Sequence, residues 1–309
     1  MQTGWVGKFA LLSAIWGASF ALIKVSVDAG VPPVWVAFGR CFFGAVALGL
    51  VCLVTRTPLP RDRRVWGHAL VVATLLNAVP FTLLAFGETL VSSVLAGVFN
   101  ATMPLTTLVF VILVVPSERV TAARLAGLGI GFVGVLVVLG VWDGVGGDVL
   151  LGGLACLGAT TCYGAGYAYT RRFFSGGSGS ASALSAVQIM CATGELAVAA
   201  PVVGGMPHWP GWLAVGALVV LGAAGTGWAY VLNLGVIRAA GPTVASTVTY
   251  VAPVWSTALG ALVLSEPVGW NTVVGGAVVI AGVVLARKPH NGEIAQKSDR
   301  QVVRSNKPR

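Results

Sequence analysis

The sequence predicts an all-α polytopic membrane protein of ten transmembrane helices, arranged as two inverted five-helix repeats. Three observations carry that prediction. Of the 309 residues, 56% are hydrophobic and only 9% are Asp, Glu, Lys or Arg, against roughly 25% charged residues in a soluble domain. The apolar residues run continuously in bilayer-length stretches, not in the alternating pattern of an outer-membrane barrel. Features of the first half then recur in the second, about 148 residues later. A mean hydropathy of +0.88 excludes a soluble enzyme, a nucleic-acid binder and a disordered chain.

The spans fall at 5–26, 34–54, 66–86, 91–114, 122–141, 149–170, 182–203, 210–232, 243–264 and 268–286. Chain breakers mark five of the gaps: Pro32-Pro33, Pro58 to Arg64, Gly144 to Asp148, Ser175 to Ser180, and Pro207 to Gly211. Met1 to Ala21 has the outline of a signal peptide, with one lysine before an apolar core. Nine spans follow it, so a retained first helix is the better reading.

Basic residues set the orientation. With the N-terminus inside, the cytoplasmic stretches hold Lys8, Arg56, Arg61, Arg63, Arg64, Arg119, Arg124, Arg171, Arg172, Arg238 and the tail, leaving Lys24 and Arg40 within or near helices 1 and 2. Outer loops are expected to hold Asp28, Glu88, Asp143, Asp148 and Glu266. Of the net charge of +9, the stretch from Arg287 to Arg309 supplies +5, from seven basic residues and two acids. The expected organisation is a first repeat over 1–141, an inverted second repeat over 149–286, and a disordered basic cytoplasmic tail over 287–309. The protein is expected in the inner (plasma) membrane with both termini cytoplasmic.

The repeat rests on matches in a common order. Trp16-Gly17 recurs as Tyr163-Gly164, and Lys24 as Arg171. Met103-Pro104 recurs as Ala252-Pro253, Ser117-Glu118 as Ser265-Glu266, and Val133-Gly134-Val135 as Ala281-Gly282-Val283. Five helices per copy is an odd number, so the second copy enters from the opposite side. Inverted repeats mark carriers whose substrate site lies near the midplane between the halves; a duplicated receptor or structural protein is the other reading.

On these residues the chain resembles the EamA-type drug/metabolite transporters, ten-helix carriers of bacterial membranes. Trp16-Gly17 with Lys24 below it, Arg40 early in helix 2, Pro104, Pro253, and the Glu118 and Glu266 turns carry the resemblance, from Trp5 to Ala286. It implies export of small metabolites, often amino acids, through a central cavity, with helices 5 and 10 away from that cavity.

Polar side chains are costly in hydrocarbon and face the bundle interior. The candidate substrate-binding residues are Trp16, Ser19, Asn77, Asn100, Tyr163, Tyr167, Trp228, Thr249 and Tyr250, a set of amides, hydroxyls and aromatics almost without formal charge. Ser13, Thr102 and Thr160 read better as interhelical hydrogen bonds. Gly127, Gly129, Gly131 and Gly134 answer to Gly275, Gly276 and Gly282, and read as a close-packing or dimerising face. Lys24, Arg40, Glu195, Pro104 and Pro253 are candidates for structural or coupling roles. Glu195 reads as the only carboxylate well inside a span, and its depth favours an ion pair with Arg40; a lone Glu195 that serves as the proton site is the other reading.

Five dispersed cysteines, three scattered histidines and the lack of a Walker motif give no catalytic or metal site and no direct use of ATP. No cofactor is expected. The expected function is a secondary transporter exporting small neutral or zwitterionic metabolites by alternating access, as a monomer or homodimer, with substrate and bilayer as its only partners. A flippase or translocator of lipid-linked or nucleotide-linked sugars is the alternative.

Overall fold

The computed structural model describes residues 4–114, 121–143, 146–174, 180–245 and 247–286, and among them there are helices and no strand. The Ser117-Glu118 turn, Arg119 and the basic tail lie outside the described residues.

Helix α1 (Gly4–Asp28) leads to α2 (Pro33–Val54), which opens on a proline whose missing N–H would be unbonded there anyway. Helix α3 begins as Arg63–Ala73, widens into a π turn over Thr74–Ala78 and continues as Val79–Leu90. Pro80 accounts for the widening, because it gives no hydrogen to the carbonyl four residues earlier and its ring crowds that oxygen. Helix α4 comes in two pieces, Ser93–Asn100 and Met103–Val114, parted just before Pro104 for the same reason.

Helices α5 (Ala122–Leu139), α6 (Gly147–Tyr169, ending in a π turn over Thr170–Phe174) and α7 (Ala181–Gly204) follow. Helix α8 runs Trp212–Gly222, takes a π turn over the glycine-rich Ala223–Trp228, and ends as Ala229–Ala240. A four-residue helix, Pro242–Ala245, precedes α9 (Val248–Val263), and α10 is Trp270–Ala286. The helices of α1 to α8 give 8 stretches long and apolar enough to cross a membrane, and α9 and α10 are shorter apolar helices. The protein is thus a multi-pass membrane protein.

Two ends differ from the sequence expectation. Helix α3 continues to Leu90 and α8 to Ala240, where the apolar patterns stop at 86 and 232. Glu88 therefore sits on a helix and not in an outer loop.

The packing has a two-fold pattern. Helix α2 lies against α7 and α5 against α10, while α1 crosses α9 and α6 crosses α4. Each half thus packs its first helix against the other half's fourth. Gly17 and Gly164 permit those crossings. A Cβ on Gly17 would meet the Ala252 carbonyl oxygen at 2.6 Å, and one on Gly164 would meet the Thr106 carbonyl carbon at 2.7 Å. Small residues at helix interfaces let backbones approach in this way.

The two ends of the bundle differ in charge. Arg124 and Arg171 border one mouth, hereafter the basic end. At the other, the acidic end, Lys24 binds Asp28 at 3.1 Å and the Glu88 carbonyl at 3.0 Å.

Candidate substrate cavity

A cavity of about 510 Å³ opens at the basic end, bordered by Arg124 of α5, Arg171, Asn233 and Ile237 of α8, and Val283 and Ala286 of α10. Its volume lies within the range of small-molecule sites. Trp16, Met103, Tyr167 and Thr249 line it and also line a deeper chamber of about 120 Å³, so the two are continuous. The deep chamber adds Ser19, Arg40, Phe81, Asn100, Tyr163 and Tyr230.

The repeat motif explains the aromatic walls. Trp16 and Tyr163 each precede the glycine of a close helix crossing, and both line the deep chamber. Pro104 borders the wider cavity beside the break it causes in α4. Pro253 is buried within α9 and lines neither chamber.

The π turns of α3 and α8 deliver polar groups. In the first, Asn77 is fully buried; it donates to the Tyr230 hydroxyl at 3.2 Å and accepts from Gln188 Nε2 at 2.6 Å. Asn77 thus supports a lining residue and is not one itself. In the second, Thr226 Oγ1 accepts from Arg40 Nε at 3.1 Å. The Arg40 guanidinium also lies over the Phe81 ring, 3.8 Å from its centre.

Of the residues singled out from sequence, Trp16, Ser19, Asn100, Tyr163, Tyr167 and Thr249 come together around the cavity. Tyr250 packs instead against the buried cluster around Phe20 and Phe99. Trp228 lines neither chamber and is 49% exposed on the outside of the bundle. Ser13 accepts from Trp255 Nε1 at 3.1 Å, and Thr102 donates to Thr160 at 3.2 Å, so these three do join helices.

Four expectations need correction. Arg40 and Glu195 form no ion pair: Glu195 accepts from Thr74 Oγ1 at 2.9 Å, and the Lys24–Asp28 pair is the salt bridge seen among the described residues. Similar depth did not bring the two together, because Arg40 turns to α8 while Glu195 turns to the π turn of α3. Glu195 is also not the most interior acid, since Glu88 is 0% exposed and neither of its oxygens has a hydrogen-bond partner. Finally, the cavity is not free of formal charge, because Arg40 lines its deep chamber and Arg124 and Arg171 its mouth. Helices α5 and α10 likewise reach the mouth through Arg124, Val283 and Ala286.

Sequence reasoning missed Tyr230, Gln188 and Asn233. Only the spacing of Asn77 and Thr226, one repeat apart, hinted at a polar pair of turns. Among the described residues, no group of three His, Cys, Asp or Glu could hold a metal ion.

The acidic end is tied across the bundle. Glu266, between α9 and α10, accepts from Ser93 N at 2.9 Å, Ser93 Oγ at 2.8 Å and Val94 N at 3.1 Å, and so caps the first turn of α4.

A helical membrane bundle with a polar chamber between exchanged helices, open at one end and latched at the other, has the architecture of a carrier. The EamA-like transporter family model matches residues 4–140 and 150–287, and the chain belongs to that family. This is a family of transporters, not of enzymes. Protein PagO of Salmonella typhimurium (strain LT2) is 29% identical over 133 residues, 42% of this chain and 42% of its own length. An uncharacterized transporter in the trpA 3' region of Buchnera aphidicola subsp. Schlechtendalia chinensis is 29% identical over 99 residues, 31% of this chain and 32% of its own. The chain thus spans under half the length of these curated relatives. A solved crystal structure covers 93% of this chain and 98% of its own at 20% identity, with a TM-score of 0.65, and so shares the fold.

Proposed function

We propose that this protein is a secondary transporter that exports small neutral or zwitterionic metabolites, amino acids or related compounds, across the inner membrane by alternating access. Its ten helices act as two inverted five-helix repeats, with α9 and the short Pro242–Ala245 helix together completing the ninth span. The observation that carries this reading is the opening at the basic end: the chamber reaches the aromatic pair Trp16 and Tyr163 from there, while at the acidic end Glu266 ties the turn between α9 and α10 to α4. One open and one closed end is what either state of an alternating-access carrier must have. Basic residues belong on the cytoplasmic side, so this state loads from the cytoplasm, with both termini inside.

Export of a panel of amino acids from an overexpressing strain, followed by counterflow in proteoliposomes, tests the reading. At least one amino acid should be exported and should exchange in vesicles. Trp16→Ala and Tyr163→Ala should each lower the rate roughly tenfold, which corresponds to about 1.4 kcal/mol of lost contact, at unchanged amounts in the membrane. Trp228→Ala, outside the chamber, should transport like the native protein. Transport of sugar phosphates or nucleotide-linked sugars in place of amino acids would overturn the assignment.

A further inference from the structure

Arg40 is a charged side chain in the wrong surroundings. It is 8% exposed, sits in a membrane-spanning helix, and has one described hydrogen bond, from Nε to a threonine hydroxyl. Its other close partner is the face of a phenyl ring. Among the described residues no carboxylate lies within 4.0 Å of it, and both oxygens of the buried Glu88 lack any donor. A neutral hydroxyl and a ring face only partly replace the water that a guanidinium gives up. What they do is fix its plane: Thr226 holds Nε, and Phe81 holds the flat of the group.

The fixed guanidinium lines the deep chamber. An arginine ordered in this way presents a planar fork that matches a carboxylate with two parallel hydrogen bonds. In the same chamber Asn100 Oδ1 is buried without a hydrogen-bond donor. An amide oxygen left unpaired in a membrane interior complements a ligand N–H.

We infer that Arg40 is the anchor for the carboxylate of the transported molecule, with Asn100 facing its ammonium and Trp16 and Tyr163 its side chain. The inference rests on the export reading above and narrows it to substrates with a free monocarboxylate. Arg40 is then the residue that separates an amino acid from the corresponding amine, amide or ester.

The test uses the full-length protein in nanodiscs and matched pairs of ligands, leucine with leucinamide and benzoate with benzamide. Native protein should bind the acid of each pair at least tenfold more tightly than the amide. In Arg40→Gln the two should bind alike, with amide affinity retained as the sign of an intact chamber. Arg40→Lys keeps the charge but loses the fork, and its preference should fall at least threefold below native. It decides the matter if Arg40→Gln binds neither ligand: an unchanged preference in the lysine variant overturns the anchor.

Equal binding of acid and amide by native protein overturns it without any variant. Binding of benzoate through Arg40, with no amino acid bound, would keep the anchor and sink amino-acid export. Binding of amino acids with a preference that survives Arg40→Gln would do the reverse. Native protein that binds neither pair overturns both.

Discussion

Gly282→Leu is expected to leave less than a tenth of the native amount of folded protein in the membrane. Helices α5 and α10 touch backbone to backbone along a row of glycines. A Cβ on Gly282 would lie 2.6 Å from the Gly131 nitrogen and 2.7 Å from the Gly127 carbonyl oxygen. One on Gly127 would lie 2.6 Å from both the Ala286 nitrogen and the Gly282 oxygen, and Gly134 and Gly275 meet each other's helix in the same way. Overpacking a core costs about 1–3 kcal/mol where side chains can shift. Here the obstacle is main chain, so the helices must part and the loss extends along the whole row. A total stability of about 5–15 kcal/mol does not withstand that well.

Gly129 provides the internal control. Nothing lies within 4 Å of a Cβ placed there, so Gly129→Leu should fold and transport like the native protein. Fluorescence-detected size-exclusion of detergent extracts measures both variants. Equal monodisperse peaks for Gly282→Leu and Gly129→Leu would mean that the glycine row does not hold α5 to α10.

That contrast also marks where sequence reading reached its limit. The glycine pattern and its recurrence were legible, because glycine in an apolar run is a signal in itself. That Gly129 points away from the row formed by Gly127, Gly131 and Gly134 follows from helical spacing, once the partner helix is known. The face joins α5 to α10 within one chain, so in this protein it is taken up internally.

The same distinction separates the site residues. Trp16 and Tyr163 were legible because the glycine beside each fixes a helix crossing, and with it the direction of the neighbouring aromatic. Trp228 has the right depth but the wrong face, and depth alone gave no means to tell. Arg40 and Glu195 failed to meet for the same reason. Glu88 was misread because a carboxylate after an apolar stretch looks like the start of a loop. Its burial comes from Gly87, which packs on Gly152 and Cys156 of α6, and that contact is tertiary.

Glu266→Ala is expected to shift the carrier toward a state open at the acidic end. The first turn of α4 leaves amide hydrogens that the helix cannot bond itself. Leu95 N is capped by Ser92 Oγ at 3.2 Å, and the helix's own bonding starts one residue later, where Ala96 N donates to the Ser92 carbonyl at 3.0 Å. The remaining two, on Ser93 and Val94, go to Glu266 from the other half of the chain. The carboxylate meets the positive end of the helix dipole, where an anion is favoured. Its position is enforced by the turn before it, where Ser265 takes a φ of 55° and Glu266 N bonds the Gly260 carbonyl at 3.0 Å. Opening the acidic end must pull α4 away from the turn between α9 and α10, and so must break these bonds. Hydrogen bonds to a charged group contribute about 1.5–3 kcal/mol each. Losing all three with Glu266→Ala, and letting water recover a good part, removes roughly 3 kcal/mol and moves the balance of states about a hundredfold. Spin labels at the exposed Thr89 and Leu262 report the gap between the halves. A single short distance should give way to a longer one in Glu266→Ala, with Glu266→Gln between the two. An unchanged short distance in the alanine variant would make Glu266 a helix cap and nothing more, and closure would have to lie with the buried contacts around Lys24 and Glu88.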